Sequence, residues 1–156
     1  MNVMDEILAF VESTPIGERI SIKELKRFIK FSIVGTSGAV VDFSILNLMI
    51  LVFGWPKIWA NALSFSCAVL NNFTWNRLWT FPESKERKVH GQLAQFALVS
   101  ITGLMINETI FLSLSRVLAP HFGNVIGYNL AKVIATLLVL VWNFNANRRF
   151  TYRGIK

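Results

Sequence analysis

Four long apolar stretches, Phe31 to Phe53, Ile58 to Trp75, Phe96 to Leu118 and Val125 to Phe144, fill most of this chain and leave it few ways to fold. A helix that crosses a bilayer needs about 20 mostly apolar residues, and each stretch approaches or exceeds that length. In hydrocarbon every backbone N–H and C=O must be paired within its own segment, which helices do and isolated strands do not. The second stretch is the shortest and the most polar. Composition agrees with lipid rather than water: 53% of the residues are hydrophobic, 16% are charged, and mean hydropathy is +0.48. The expected fold is all-α: a polytopic membrane protein of four transmembrane helices, residues 28–153, preceded by a segment 1–27. Connections are short, Gly54-Trp55-Pro56-Lys57 after the first stretch and Ala119-Pro120-His121-Phe122-Gly123 after the third, each built of turn-forming residues. They leave no room for a soluble catalytic domain within these residues.

A net charge of +7 and a pI near 10.0 would suit a nucleic-acid binder, but the placement of the charges excludes that reading. Arg19, Lys23, Lys26, Arg27 and Lys30 precede the first stretch, Arg77, Lys85, Arg87 and Lys88 follow the second, and Arg148, Arg149, Arg153 and Lys156 follow the fourth. Only Lys57 and Arg116 lie near the other side. The positive-inside rule then puts both termini and the central loop in the cytoplasm of a cell in whose plasma or inner membrane the chain sits. Acids at Asp5, Glu6 and Glu12, with no basic lead into an apolar core, speak against a cleaved signal peptide. Residues 1–27 alternate Ile7, Leu8, Phe10 and Val11, then Ile20, Ile22 and Leu25, with basic residues. They read equally as an interfacial amphipathic helix on anionic lipid or as a solvated leader.

The chain is a duplicated hairpin. At an offset of 65 residues, "KFSIVGTSGAVVDF" from Lys30 matches "QFALVSITGLMINE" from Gln95, pairing Phe31 with Phe96, Val34 with Val99, Gly38 with Gly103 and Asp42 with Asn107. At an offset of 71, "NFTWNRLWTF" from Asn72 matches "NFNANRRFTY" from Asn143, pairing Asn76 with Asn147, Arg77 with Arg148 and Thr80 with Thr151. The repeats cover about 28–81 and 93–152. Each contains two stretches, so both start on the same side of the membrane and the repeat is parallel.

Charged and amide side chains inside apolar helices are the candidates for function. An ionisable group at bilayer depth costs roughly 2.5 to 3.5 kcal/mol even on the lenient insertion scale, so it calls for a purpose and a partner. Helical spacing puts Lys132, Thr136, Asn143 and Asn147 on one stripe, with Asn61, Asn72 and Asn76 at the matching positions of the first half. Gly35, Gly38 and Asp42, and Ser100, Gly103 and Asn107, place small residues on a polar face. At about 1.5 Å per residue Asp42, Glu108 and Lys132 reach similar depths, so Lys132 is expected to pair with Glu108 or Asp42, the residues leaving that choice open. Against this stands interhelical hydrogen-bond glue, worth around 0.6 kcal/mol per residue, a role open to any one Asn but exceeded by the whole set of polar residues within the spans. Trp55, Trp59, Trp75, Trp79 and Trp142 read as interfacial belt anchors. Cys67 is alone, no Cys/His cluster has metal-ligand spacing, and no nucleophile–base pair or phosphate loop is present, so neither a cofactor nor catalysis is expected.

The runs "RFIKFSIVGTSGAVVDF", "NNFTWNRLWTF", "QFALVSITGLMIN" and "NFNANRRFTYR" resemble the GtrA-like family of small four-span membrane proteins over about 27–153. The resemblance implies transfer of a polyprenyl-phosphate-linked monosaccharide from the cytoplasmic to the outer leaflet, for surface polysaccharide or glycoconjugate synthesis, with glycosyltransferases as separate partners. Such a reading suits the residues: Asn amides can serve sugar hydroxyls, Arg77 and Arg148 at the cytoplasmic mouth can meet a phosphate, and Lys132 can offer a second cation deeper in. Four short helices enclose little volume for a headgroup, so a homodimer is expected. Two rivals are a small proton-coupled multidrug exporter using Asp42 or Glu108, and a non-transporting adaptor for a glycosyltransferase.

Overall fold

The computed structural model describes residues 21–154, in which four long helices carry most of the described residues: α1 (Ile22–Asn47), α2 (Lys57–Trp75), α3 (Val89–Phe122) and α4 (Asn124–Ala146). Helices α1, α2 and α4 each end in one widened π-helical turn, at Leu48–Val52, Asn76–Thr80 and Asn147–Thr151, and a 3-10 turn at Pro82–Glu86 leads into α3. Residues 1–20 lie outside the described part, and with them most of the amphipathic segment. Because α1 already begins at Ile22, the boundary expected at 27/28 falls inside a helix.

Three segments, Ile22–Val52, Val89–Phe122 and Ile126–Thr151, are long and apolar enough to cross a membrane. With the duplicated pattern they make this a multi-pass membrane protein. Helix α2 falls short because Asn61, Ser64, Ser66, Asn71 and Asn72 dilute it, although its 19 residues span roughly 28 Å. The outward surface is apolar in the way lipid requires, with Phe43, Leu51, Leu98, Met105 and Leu137 all exposed. Hydroxyls on that surface are satisfied inside their own helix: Ser32, Ser66, Thr102 and Thr109 each donate to the carbonyl four residues back.

Contacts are densest within the pairs α1–α2 and α3–α4, so each half is a hairpin. The first turns at Gly54 (φ 65°). The second turns on Gly123 alone, whose φ of 80° and ψ of 155° are open only to glycine. This corrects the expected connection at 119–123, since α3 runs through Pro120 to Phe122. Gly127 lets α4 leave the turn against the backbone of Ala119, where a Cβ would find no space.

Packing within the hairpins follows a ridge of every fourth residue. Ala60, Ser64 and Ala68 in α2, and Ala131, Ala135 and Val139 in α4, are buried along it, and each pair is 71 residues apart. Where the two hairpins meet at the basic end, the aromatic residues form a core. Phe31 packs edge-on against Phe144 (5.7 Å) and Phe96 against Phe73 (5.8 Å), two contacts related by the repeat, and Phe81 stacks on its counterpart Tyr152 at 4.4 Å.

Candidate functional site

Above this aromatic core the four helices leave a cavity of about 310 Å³, lined by Gly38, Asp42, Ala68 and Asn72 of the first hairpin and Ser100, Gly103, Asn107, Val139 and Asn143 of the second, with further apolar residues. Its walls are built twice from one design. Gly38 is bare because the Asn72 side chain occupies the space a Cβ would need, and Gly103 stands in the same relation to Asn143. The missing side chains bring each Asn amide to the cavity edge between its two helices. Asn71 donates to Ser37 Oγ (3.0 Å) and to Asn72 Oδ1 (3.4 Å), which orients the first amide, while Asn143 Oδ1 has no donor.

Of the residues expected to form the site, Asp42, Asn72, Asn107 and Asn143 are brought together here, and Lys132 joins them through the wall. Lys132 Nζ donates to Asn107 Oδ1 at 3.0 Å and lies 5.3 Å from the centre of the Phe111 ring. That corrects the expected pairing. Glu108, one residue beyond Asn107 and so about 100° further round α3, is exposed and takes no part; Asp42 is not its partner either, and Asp42 Oδ1 is shut from solvent with no hydrogen bond.

The expected stripe through Lys132, Thr136, Asn143 and Asn147 is likewise corrected in its upper half. The buried line through Asn143 continues by steps of four to Val139, Ala135 and Ala131, leaving Lys132, Thr136 and the matching Asn61 exposed on the flank. Two residues seven apart lie on different ridges, so the step from Thr136 to Asn143 left the contact line.

Asn76 and Asn147 lie below the cavity, not in its wall. Both are buried in the π turns, where Asn147 Nδ2 donates to the Asn143 carbonyl (2.9 Å) and its Oδ1 accepts from Thr151 (2.8 Å). Neither Arg77 nor Arg148 lines the cavity. Arg77 donates to the carbonyls of Ser84, Lys85 and Arg87 at 2.7 to 3.3 Å, holding the connecting loop. Arg148 bonds Glu24 at 3.1 Å and so ties the end of α4 to the start of α1.

Arg27 was not among the candidates, yet it is 4% exposed, bridges Glu24 (2.6 Å) and Glu83 (2.9 Å), and lies against the Phe81 ring. Its counterpart at the offset of 65 is Gln92, equally buried, which donates to the carbonyls of Ser84 and Thr151. Extending the repeat a few residues upstream would have found both. Burial raises the Glu83 pKa, but its own backbone N–H, the Arg27 charge and hydrogen bonds from Arg27 and Lys23 together lower it below its usual 4.5. No group of His, Cys, Asp and Glu suited to a metal occurs among the described residues.

The GtrA/DPMS transmembrane-domain model matches residues 30–152, which include the whole cavity lining. The chain belongs to this family. The match begins after Glu24 and Arg27, so the ion pairs these make at the basic end extend beyond the matched residues. Among curated proteins, the chain is similar to a dolichol-phosphate mannosyltransferase of Pyrococcus furiosus, with 32% identity over 116 residues, 71% of this chain and 33% of that protein. The chain thus spans about a third of the length of the relative it matches, and both comparisons relate it to membrane proteins of polyprenyl-phosphate-sugar metabolism.

Proposed function

We propose that this GtrA/DPMS-family protein carries a polyprenyl-phosphate-linked monosaccharide across the membrane, from the cytoplasmic to the outer leaflet, and performs no chemistry on it. The cavity carries this reading: inside a lipid-facing bundle, Asp42, Asn72, Asn107 and Asn143 surround a space of about 310 Å³, with Lys132 bonded into its wall. That volume lies at the low end of the roughly 300–1,000 Å³ found for small-molecule sites, suited to one sugar ring with its phosphate rather than to an oligosaccharide. The isoprenoid tail stays in lipid while the headgroup exchanges water for amide, carboxyl and ammonium partners. All four helices, α2 included, cross the bilayer in this reading, with both termini cytoplasmic. The aromatic core and the Arg27, Glu24 and Glu83 contacts then close the cytoplasmic end, and transfer requires that end to part. A second copy would cover α2, the least apolar helix, whose Ala62 and Ser66 face outward beside Trp59, making the working unit a homodimer.

The test is transfer of a prenyl-phosphate glucose in reconstituted vesicles. Lys132→Met should abolish transfer while the protein still folds, because the lysine's partner is a neutral amide and no charge is orphaned by its loss. Normal transfer by this variant would remove Lys132 from the route. One observation favours a second reading: the relative is named a mannosyltransferase and this chain spans only 33% of it, as an adaptor for a separate glycosyltransferase would. Vesicles that show no transfer with the wild type, combined with co-purification of a glycosyltransferase, would establish that reading instead.

A further inference from the structure

Resting on the reading of the cavity as a headgroup site, we propose that Asp42 and Lys132 divide it into a sugar side and a phosphate side, and that Asp42 restricts the cargo to uncharged sugars. Duplication made two equivalent half-sites, and four positions show how they have diverged. Asn107 and Lys132 of the second half correspond to Asp42 and Asn61 of the first, at offsets of 65 and 71. At these positions the second half-site is therefore basic and the first acidic, although their walls share the Gly–Asn packing.

The hydrogen bonds diverge in the same way. Lys132 Nζ donates to Asn107 Oδ1 at 3.0 Å, so the basic half has a partner in place. In the acidic half Asp42 Oδ1 is shut from solvent with no donor, and across the cavity Asn143 Oδ1 also lacks one. A buried acceptor without a donor is costly, so two of them around one cavity call for a ligand rich in O–H groups. Sugar hydroxyls are such donors. A phosphodiester is an acceptor only, repelled by the Asp42 carboxylate and drawn to the Lys132 ammonium. Two-point recognition of this kind orients the headgroup, with the ring against Asp42 and Asn143 and the phosphate toward Lys132. A ring with its own carboxylate would meet Asp42 as a like charge and be rejected.

The experiment measures binding of three probes to the purified full chain in detergent: a short-chain prenyl phosphate, the same lipid bearing glucose, and the same lipid bearing glucuronic acid. The wild type should bind the glucose lipid at least about tenfold more tightly than the glucuronic acid lipid, the scale of a like-charge contact. Asp42→Asn should shrink that preference to less than about threefold, Asp42→Glu should keep it, and Lys132→Gln should weaken all three probes alike. Equal binding of the two sugar lipids by the wild type, or an unchanged preference in Asp42→Asn, overturns the assignment while leaving the cavity as a headgroup site. Binding of none of the three probes overturns both. Should Asp42→Asn fail to fold, the wild-type preference and the Lys132→Gln profile still decide.

Discussion

Gly38 and Gly103 are the residues on which the cavity's shape depends, since each holds open the place taken by an Asn amide. An alanine there improves helix propensity by roughly 0.5–1 kcal/mol yet forces the Asn72 or Asn143 side chain to swing away from the wall. Gly103→Ala should therefore leave thermal stability nearly unchanged and weaken binding of the prenyl-phosphate sugar by about tenfold, which is ~1.4 kcal/mol. Binding at wild-type strength would show that the Asn143 amide has no ligand. Not every amide in these helices has the same standing. Asn47 and Asn145 donate to their own helix at Phe43 and Val141, an internal solution that any membrane helix can use, whereas Asn72, Asn107 and Asn143 face a shared space.

Helix ends tie the two hairpins to one another at the basic end. In both halves the Asn-Phe-x-x-Asn-Arg run closes with a π turn, capped by Phe81 N–H to the Asn76 carbonyl (2.7 Å) and by Tyr152 N–H to the Asn147 carbonyl (2.8 Å). The extra residue in each turn aims Phe81 and Tyr152 at one another, where they stack. At the opposite end the α3–α4 hairpin depends on two glycines, Gly123 for its turn and Gly127 for its close approach to Ala119. Gly123→Ala places a Cβ in a glycine-only conformation and should destabilise the protein by about 1–3 kcal/mol, read as a lower melting temperature in detergent. The loop before α3 depends on charge instead. Because the folded-state pKa of Glu83 is lowered, its contribution is present above the usual 4.5 and is lost as pH falls through the lowered value. The stability advantage of wild type over Glu83→Gln should accordingly be full at pH 7 and shrink progressively as pH is lowered below 4.5, the difference staying within ~1 kcal/mol because the pair is partly exposed. A gap that stays constant with pH would mean the carboxylate is not what anchors the loop.

For the molecule as a whole, duplication explains why amide and carboxyl groups line an open cleft between apolar hairpins. Each hairpin alone would leave an Asn at its packed face; two placed side by side bring those Asn side chains to one shared cleft. The basic residues then gather at the end where the aromatic core and the Arg27 and Arg148 ion pairs close the bundle. With that end cytoplasmic, single cysteines replacing Lys85 and Arg153 in a Cys67→Ser background should resist an impermeant thiol reagent in intact cells, and one replacing Lys57 should react. Labelling at Lys85 from outside would invert the molecule and with it the proposed direction of transfer.

The amino-acid sequence alone determined that this is an all-helical, duplicated, multi-pass membrane protein, because hydrophobic length, charge placement and internal repetition are properties of the chain taken in order, and its motifs carried the resemblance to the GtrA-like family. It also singled out Asp42, Asn72, Asn107, Lys132 and Asn143, since a polar group in an apolar helix stands out without knowledge of its neighbours. Which of those groups meet was decided only by tertiary structure. The fourth-residue ridge that buries Ala131 and Ala135 turns Lys132 to the flank, from where it reaches the neutral Asn107 and not an acid. Helical periodicity gives an angle about one axis and a depth along it, but a contact requires the crossing of two axes. That crossing depends on how closely small residues such as Ala60, Gly38 and Gly103 let the backbones approach. The burial of Arg27 between Glu24 and Glu83 escaped the sequence for the same reason: its partners belong to one turn of its own helix and to a loop 56 residues away, and only folding puts them together.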